Sequence, residues 1–184
     1  MTSIESCGKM NNPIHNDQLN TWGSHQEAVL WAFYKLRSMG TSEISGIEFG
    51  CGHYSTQLFH DNCSKKLLTI ETDESWMKDF VYMETDTHKF KFIDSKNWES
   101  TLKTMDLSCD VCLIDSFDGP SRVIAMNLVR DVCTLVVVHD QENYWMNRPM
   151  CYPGQVDAVR GYKYCKQFVK GSIITVVMSN IVEL

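Results

Sequence analysis

The chain of 184 residues carries a formal net charge of −6, and 43% of its residues are hydrophobic and 22% charged. This composition is typical of one globular domain, and its acidic balance argues against the basic surface that sequence-independent nucleic-acid binding requires. The sequence has neither an apolar stretch long enough to cross a bilayer nor a signal-peptide core near Met1, so we expect a cytoplasmic protein with no membrane contact.

The eight cysteines are expected to stay reduced. Cys109, Cys112 and Cys133 lie within or beside apolar segments, where a thiol packs as a small hydrophobic group. Cys109 and Cys112 have the C-x-x-C spacing of zinc ligands, but no second pair follows at the usual interval. We therefore predict reduced thiols in the core or at the surface rather than a disulfide framework.

At the start of the chain, residues 1–21 are polar and lack periodicity, which predicts a flexible arm ahead of one folded domain over residues 22–184. Ser24 and Glu27 have the spacing of a capping box, and the apolar stripe after them predicts a helix that Gly40 ends. This helix is expected to cover one face of a sheet.

The segment of residues 44–56 predicts a short strand, a glycine-punctuated turn and the start of a helix. Gly50 and Gly52 allow the backbone to turn tightly and to approach a ligand, and Ser55 or Thr56 is placed to cap the helix. Parallel sheets hold nucleotide-like ligands with this strand–turn–helix order, at the carboxyl ends of their strands. A lone G-x-G is common, so the prediction depends on the strands that follow.

Four further strands alternate with predicted helices. The strands cover residues 66–71, 90–94, 110–115 and 135–140, and the helices cover residues 73–82, 98–105 and 121–132. This alternation predicts a doubly wound, mostly parallel α/β sheet. Residues 162–169 and 172–178 predict a closing antiparallel hairpin. The strand ends therefore meet at one rim, where this class of fold binds its ligands.

Glu71 is the ligand candidate at this rim that spacing supports best. It ends the second strand about twenty residues after the glycine turn, where such folds place a carboxylate that accepts hydrogen bonds from ribose hydroxyls. The alternative is a local role at the N-terminus of the next helix. We favour ribose binding.

Two loop segments are candidates for contacting a ligand. Trp22 and His25 precede the first helix and are placed to line a pocket. Residues 144–155 are rich in aromatic residues and lack clear periodicity, which is typical of a loop that packs over something. In a catalytic protein, residues 144–162 are expected to fold as a lid that leaves a pocket beside the fifth strand.

The order of elements and several motifs resemble the class I S-adenosylmethionine-dependent methyltransferases over residues 22–184. The matching stretches are IEFGCG at residues 47–52, IETD at 70–73, LID at 113–115, VVHD at 137–140 and TVVMSNI at 175–181. One departure is Tyr54, which stands where a G-x-G-x-G pattern has its third glycine. The resemblance implies a Rossmann-like sheet of the seven-stranded methyltransferase type and S-adenosylmethionine as the cofactor.

The resemblance also implies which residues contact the cofactor. These are Glu48, Gly50, Cys51, Gly52, Tyr54, Ser55, Glu71, Asp94 and Asp115. The methyl donor is a sulfonium cation without phosphate, so an acidic rim suits it. A dinucleotide requires a phosphate-binding helix end with the full G-x-G-x-x-G, which Tyr54 and Ser55 interrupt. We therefore expect S-adenosylmethionine rather than NAD.

His139 and Asp140 follow the fifth strand, near the expected position of a methyl acceptor, and are the catalytic candidates. Methyl transfer is an in-line displacement, so positioning supplies much of the catalysis. A structural histidine bonded to the backbone is an equally weighted alternative for His139. Asp115 and Asp140, with Gln141 or Asn143, offer oxygen ligands like those of magnesium-dependent family members, but a divalent metal is not favoured.

The leading hypothesis is an enzyme that transfers a methyl group to an oxygen or nitrogen of an unidentified acceptor. One alternative is a non-catalytic S-adenosylmethionine-binding module or partner subunit. A less favoured alternative is an NAD-dependent oxidoreductase. Neither the acceptor nor the oligomeric state follows from these patterns.

Overall fold

The computed structural model describes residues 23–116, 118–142 and 152–184. The predicted arm, Trp22 and most of the aromatic loop at residues 144–155 lie outside the described residues, and so does Asn143. None of the described helices is long and apolar enough to span a membrane.

The described residues form one sheet of seven strands in the order β3-β2-β1-β4-β5-β7-β6. The strands are β1 (Ser45–Phe49), β2 (Lys66–Glu71), β3 (His88–Phe92), β4 (Cys109–Ile114), β5 (Cys133–Val138), β6 (Tyr164–Lys170) and β7 (Ile173–Ser179). Strands β1 to β5 are parallel, and β7 runs antiparallel to both β5 and β6. The predicted doubly wound sheet with a closing antiparallel hairpin is confirmed.

Helices cover both faces of the sheet, as a parallel sheet requires. The helices are α1 (Gln26–Ser38), α2 (Thr56–Asn62), α3 (Glu74–Met77), α4 (Trp98–Leu102), α5 (Gly119–Val129) and α6 (Gln155–Arg160). One apolar core packs α4, α5 and α6 against the sheet, and the other packs α1 and α2 against its opposite face. Strand β4 contributes to both cores, because Cys112 and Ile114 face the first and Val111 and Leu113 the second.

The register of the parallel strands aligns their carboxyl ends. Phe49, the last residue of β1, pairs with Ile70 on one side and with Ile114 on the other. Ile114 in turn pairs with Val138 at the end of β5. The residues that directly follow these strands therefore meet at one rim of the sheet, which positions the candidate site.

The start of α1 differs from the prediction. The helix begins at Gln26, with His25 as its N-cap and no side-chain capping bond, so the predicted capping box of Ser24 and Glu27 is wrong. The hydroxyl of Ser24 instead lies 2.6 Å from Nε2 of His139, and this tertiary contact takes the place of the local cap. The predicted C-terminal glycine is confirmed, since Gly40 follows the helix with φ of 91°.

Other boundaries shift by a few residues. The helix predicted over 73–82 is short: α3 ends at Met77, and a 3₁₀ turn follows over Val81–Met83. Strand β3 ends two residues before the predicted boundary, because its pairing with β2 stops at Phe92. Helix α5 begins earlier than predicted, because the carboxylate of Asp118 caps it by accepting a hydrogen bond from the Ser121 amide.

The described cysteines are free thiols. Cys109 and Cys133 pair across β4 and β5, with their sulfur atoms 3.0 Å apart in the core. Burial raises the pKa of the Cys109 and Cys112 thiols. These thiols are therefore protonated, and they pack as small apolar groups rather than acting as nucleophiles.

Candidate functional site at the carboxyl ends of the strands

A cavity of about 970 Å³ opens at the rim where the parallel strands end. One end of it is bounded by the turn after β1 and the segment after β2, and the other end by the residues after β4 and β5. Most of the sequence-predicted site residues line it: Gly50, Cys51, Gly52, Tyr54, Ser55, Glu71, Asp115, His139 and Asp140. The prediction that His25 lines a pocket is also confirmed.

The glycine turn brings the chain against the next strand. Gly50 has φ of 92°, and a Cβ at this position would lie 2.5 Å from the carbonyl oxygen of Asp115. Only glycine combines this left-handed conformation with such a close backbone approach. The amide of Gly50 donates to the carbonyl of Ile70, and the amide of Gly52 donates to the hydroxyl of Thr56. The turn therefore depends on glycine at position 50.

Glu71 is held by backbone amides beside this turn. Its Oε2 accepts a hydrogen bond of 3.0 Å from the amide of Cys51. Its Oε1 accepts hydrogen bonds from the amides of Thr72 (2.6 Å) and Asp73 (3.0 Å). The carboxylate is thus fixed at the cavity wall by the path of the main chain.

An aromatic side chain covers the same end of the cavity. The indole of Trp76 donates a hydrogen bond of 2.7 Å to the carbonyl of Cys51. The imidazole of His53 stacks edge-on against this indole, with ring centroids 5.3 Å apart. Phe92 and Ser95, at the end of β3, complete this wall. A flat heterocycle with polar edges fits such a surface.

Glu48 does not reach the cavity, which corrects the prediction of a direct cofactor contact. Its side chain is 0% exposed and accepts hydrogen bonds from the hydroxyls of Thr56 and Thr69. Burial raises the pKa of Glu48 to about 8, although hydrogen bonds from Ser55, Thr69 and Thr56 oppose the shift. Glu48 ties β1 to β2 and α2 beneath the glycine turn.

Asp94 also lies outside the cavity lining, although its neighbour Ser95 contributes to it. The Asp94 carboxylate caps a short 3₁₀ turn by accepting a hydrogen bond of 2.8 Å from the amide of Lys96. This local bond engages the carboxylate oxygen Oδ1 in the turn itself.

At the other end of the cavity, Arg122 bridges two acidic residues. Its guanidinium lies 3.1 Å from Oδ1 of Asp115 and 3.1 Å from Oδ2 of Asp140. It also donates to the carbonyls of Ser116 and His139. Asp140 has φ of 55°, a left-handed conformation that is uncommon outside glycine. Arg122 was not predicted from the sequence, although its place in the first turns of a helix directly after β4 is a usable signal.

His139 is hydrogen bonded through both ring nitrogens. Nε2 lies 2.6 Å from the hydroxyl of Ser24, and Nδ1 lies 3.1 Å from Oδ1 of Asp115. Burial lowers the pKa of His139, but the hydrogen bond and charge of Asp115 outweigh it, so the pKa is raised overall. Burial likewise raises the pKa of Asp115, but His139 and Arg122 reverse the effect and the pKa is lowered.

The imidazole of His25 stands beside this pair. It is 3% exposed, and neither ring nitrogen has a hydrogen-bond partner among the described residues. Its Nδ1 lies 3.8 Å from Oδ2 of Asp115, and its ring packs edge-on against that of His139. Burial lowers the pKa of His25 to about 4, so this imidazole is neutral near pH 7.

Among the described residues, the side chains weighed in the sequence as oxygen ligands of magnesium have protein partners. The guanidinium of Arg122 already stands between Asp115 and Asp140 as their counter-charge. Gln141 is buried, and its side-chain oxygen accepts a hydrogen bond from Gln155 in α6. This end of the cavity is organised by an arginine and two histidines.

Comparisons with known proteins identify the fold. No protein-family model matches the chain, and no curated protein matches it in sequence. Solved structures do match: the bifunctional kinase-methyltransferase WbdD at 12% identity and a TM-score of 0.59, over 85% of this chain. The chain spans 40% of the length of WbdD.

Two other matches are close to this chain in extent. The N-methyltransferase NodS from Bradyrhizobium japonicum WM9 matches at 12% identity and a TM-score of 0.53, over 89% of this chain and 100% of NodS. A methyltransferase-like protein from Silicibacter pomeroyi DSS-3 matches at 14% identity and a TM-score of 0.54, over 91% of this chain and 90% of that one. The chain therefore has the class I S-adenosylmethionine-dependent methyltransferase fold.

Proposed function

We propose that this protein is an S-adenosylmethionine-dependent methyltransferase that acts on an oxygen or nitrogen of an as yet unidentified acceptor. The observation that carries the proposal is the Glu71 carboxylate, fixed by the Cys51 amide beside the glycine turn at the wall of the cavity. A carboxylate held in this way presents charged acceptors to a pair of vicinal hydroxyls.

The charge of the cavity supports a sulfonium donor. Acidic side chains line it at both ends, among them Glu71, Asp73 and Asp115. A cation gains from such surroundings, whereas the phosphates of a dinucleotide are repelled. NodS, a structural neighbour, has been crystallised with S-adenosyl-L-homocysteine, which supports the same cofactor class for this fold.

The proposed cofactor contacts follow from the lining. The backbone of Gly50, Cys51 and Gly52, in the lining, would hold the amino-acid part of the cofactor, and Glu71 would accept hydrogen bonds from the ribose. Trp76, in the aromatic wall, would hold the adenine. Asp115 stands between this half and the acceptor half, while Tyr54 and Ser55 form the side of the turn.

With S-adenosylmethionine bound, a lone pair of the acceptor would attack the methyl carbon while the carbon–sulfur bond breaks. Sulfur would keep that electron pair, giving S-adenosylhomocysteine, and the acceptor proton would leave to water or to a base. His139 and Asp140 remain the proposed catalytic residues at the acceptor end of the cavity. Both nitrogens of His139 are engaged, so a proton taken up on Nε2 would point to the Ser24 hydroxyl, which can accept its hydrogen bond.

Calorimetric titration with S-adenosyl-L-homocysteine tests the cofactor site. Glu71→Ala is expected to weaken binding by about 10- to 100-fold, since it removes charge-assisted hydrogen bonds. Glu84→Ala, at a surface acid that pairs with Lys89, is the matched control. Failure of the wild type to bind contradicts the proposal, and unchanged binding by Glu71→Ala removes the ribose role.

Asp94→Ala is the second arm of the same titration. It is expected to change the affinity by less than about twofold, because the side chain caps a turn instead of lining the cavity. A tenfold loss reinstates the contact predicted from the sequence. Transfer of labelled methyl groups to fractionated metabolites then separates an enzyme from a binding module, which binds the cofactor without turnover.

A further inference from the structure

We propose that His25, Asp115 and His139 form a binding site for a divalent transition-metal ion such as Zn²⁺ at the acceptor end of the cavity. Each of the three residues offers one ligand atom, and these atoms lie within 4.8 Å of one another. Two imidazoles and one carboxylate are a donor set that suits zinc and its neighbours in the first transition series. The proposal does not depend on methyl transfer.

The side chain of His25 is the first observation that points to a ligand. Only 3% of its surface is exposed, yet neither ring nitrogen has a hydrogen-bond partner among the residues the structure describes. Buried polar groups in folded proteins are almost always satisfied, so an unpartnered imidazole calls for an explanation. His25 lines the cavity, and its Nδ1 lies 3.8 Å from Oδ2 of Asp115. An ion between these two atoms gives Nδ1 of this imidazole a partner.

The hydrogen bond between His139 and Ser24 provides the second observation. A hydroxyl 2.6 Å from Nε2 can accept a hydrogen bond from the Nε2–H tautomer. In that tautomer Nδ1 carries a lone pair, and it faces Asp115, 3.1 Å away. Metal-ligating histidines are usually fixed by such a hydrogen bond to their other nitrogen.

Coordination by His139 requires that its Nδ1 carry no proton. Without the ion, Nδ1–H donates to the Asp115 carboxylate, and Nε2 lies 2.6 Å from the Ser24 hydroxyl. With the ion, Nδ1 coordinates, the ring proton resides on Nε2, and Ser24 accepts the hydrogen bond from Nε2–H.

The two carboxylate oxygens of Asp115 have different neighbours. Oδ1 accepts the hydrogen bond from Arg122, while Oδ2 faces His25. The positive charge of Arg122 is shared with Asp140, so two carboxylates and one guanidinium leave one negative charge for the ion. Nitrogen ligands and a single available carboxylate disfavour Mg²⁺, which prefers oxygen.

The ligands come from ordered positions: the N-cap of α1 and the residues that directly follow β4 and β5. Three protein ligands leave at least one coordination position open, and all three line the cavity. This arrangement is typical of catalytic zinc sites rather than structural ones. The open position is where an oxygen or nitrogen of a small molecule is expected to bind.

The test uses the full chain after removal of metal by a chelator. Calorimetry with Zn²⁺ and absorption spectra with Co²⁺ are expected to show one ion per chain and the d–d bands of a site with nitrogen ligands. His25→Gln and Asp115→Asn are each expected to weaken Zn²⁺ binding by at least about tenfold. His60→Gln is the control, since His60 pairs with His88 away from the cavity.

Titration of the ion-free wild type, His25→Gln and His60→Gln with S-adenosyl-L-homocysteine reports whether each is folded and keeps the cofactor site. Zn²⁺ binding lost in His25→Gln but kept in His60→Gln supports the site. Absence of Zn²⁺ binding by the wild type overturns the site. Equal Zn²⁺ binding by His25→Gln and the wild type also overturns it, and attributes the bound ion to thiols. A wild type that binds S-adenosyl-L-homocysteine but no Zn²⁺ contradicts this inference alone, and a wild type that binds Zn²⁺ but no S-adenosyl-L-homocysteine contradicts the proposed function alone.

Discussion

The two halves of the rim hold their acidic residues in different ways. In the half formed by β1 and β2, Glu71 is bound by main-chain amides of Cys51, Thr72 and Asp73. In the half formed by β4 and β5, Asp115 is bound by the side chains of Arg122 and His139. The first half is built by the path of the backbone and the second by the identity of particular side chains.

This difference determines how each half responds to substitution. A main-chain donor survives a change of side chain. The Glu71 half is therefore sensitive to the space around its backbone rather than to the side chains of the residues whose amides bind Glu71. A side-chain donor disappears when it is replaced and leaves a buried charge without compensation. The halves touch at Gly50, where the turn after β1 meets the carbonyl of Asp115.

The largest expected effect is at this contact. In Gly50→Ala, the new Cβ would lie 2.5 Å from the Asp115 carbonyl oxygen in a left-handed conformation, so both strands must shift. We expect a loss of about 3–5 kcal/mol in the free energy of unfolding, measured by urea denaturation. Gly52→Ala is the control, because its Cβ meets only Ser55 Oγ at 3.5 Å. Equal losses in the two variants would show that the contact between the halves is not decisive.

Removal of Arg122 tests the half built from side chains. Arg122→Met leaves Asp115 and Asp140 without their common counter-charge, and we expect a loss of about 3 kcal/mol, reduced somewhat by the partial exposure of Asp140. The double variant Arg122→Met/Asp115→Asn is expected to recover much of this loss.

The matched change in the other half is Thr72→Ala. It keeps the amide that donates to Glu71 and is expected to change the free energy of unfolding by less than about 1 kcal/mol. Denaturation curves measured side by side provide the comparison. The distinction between the halves would be removed if the two substitutions in Arg122→Met/Asp115→Asn had additive effects on the free energy of unfolding. A large loss of this free energy in Thr72→Ala would also remove it.

Glu48 sharpens the comparison through its pH dependence, because it lies in the first half but is held by side-chain hydroxyls. Its pKa is raised from 4.5 to about 8, chiefly by burial. Between these values the folded protein keeps a proton that the unfolded chain releases, so the contribution of Glu48 to stability falls as pH rises. Glu48→Gln removes this titration.

The measurement is the difference in unfolding free energy between wild type and Glu48→Gln across pH 6.5 to 8. This difference is expected to fall by about 2 kcal/mol over that range. His88, linked to Glu48 through Thr69, does not obscure the result, since burial and His60 lower its pKa to about 4. A difference that stays constant with pH would place the Glu48 titration outside this window.

The sequence was informative where structure is decided by neighbours in the chain. The alternation of strands and helices, the glycine turn and the closing hairpin all depend on local patterns, and they predicted the sheet. Glu71 was identified by its interval from the glycines, because its donors at positions 51, 72 and 73 lie close to it along the chain or across one strand pair.

The side-chain half could be predicted only in part. Asp115, His139 and Asp140 were found as strand ends, but Arg122 was missed because nothing local marks it as their partner. Ser24 was assigned to a capping box, whereas its hydroxyl bonds to a histidine 115 positions later in the chain. Glu48 and Asp94 were assigned by motif position alone, which does not reveal that hydroxyls or a local turn already bind their carboxylates.

The position of β7 inside the sheet has a consequence for synthesis on the ribosome. This strand lies between β5 and β6 and supplies hydrogen bonds to both, yet it follows both in the chain. Until residues 173–179 emerge, the apolar edge of β5 has unpaired amides and carbonyls. Such an edge is a template for pairing with other chains. A nascent chain that ends before β7 therefore exposes an aggregation-prone strand.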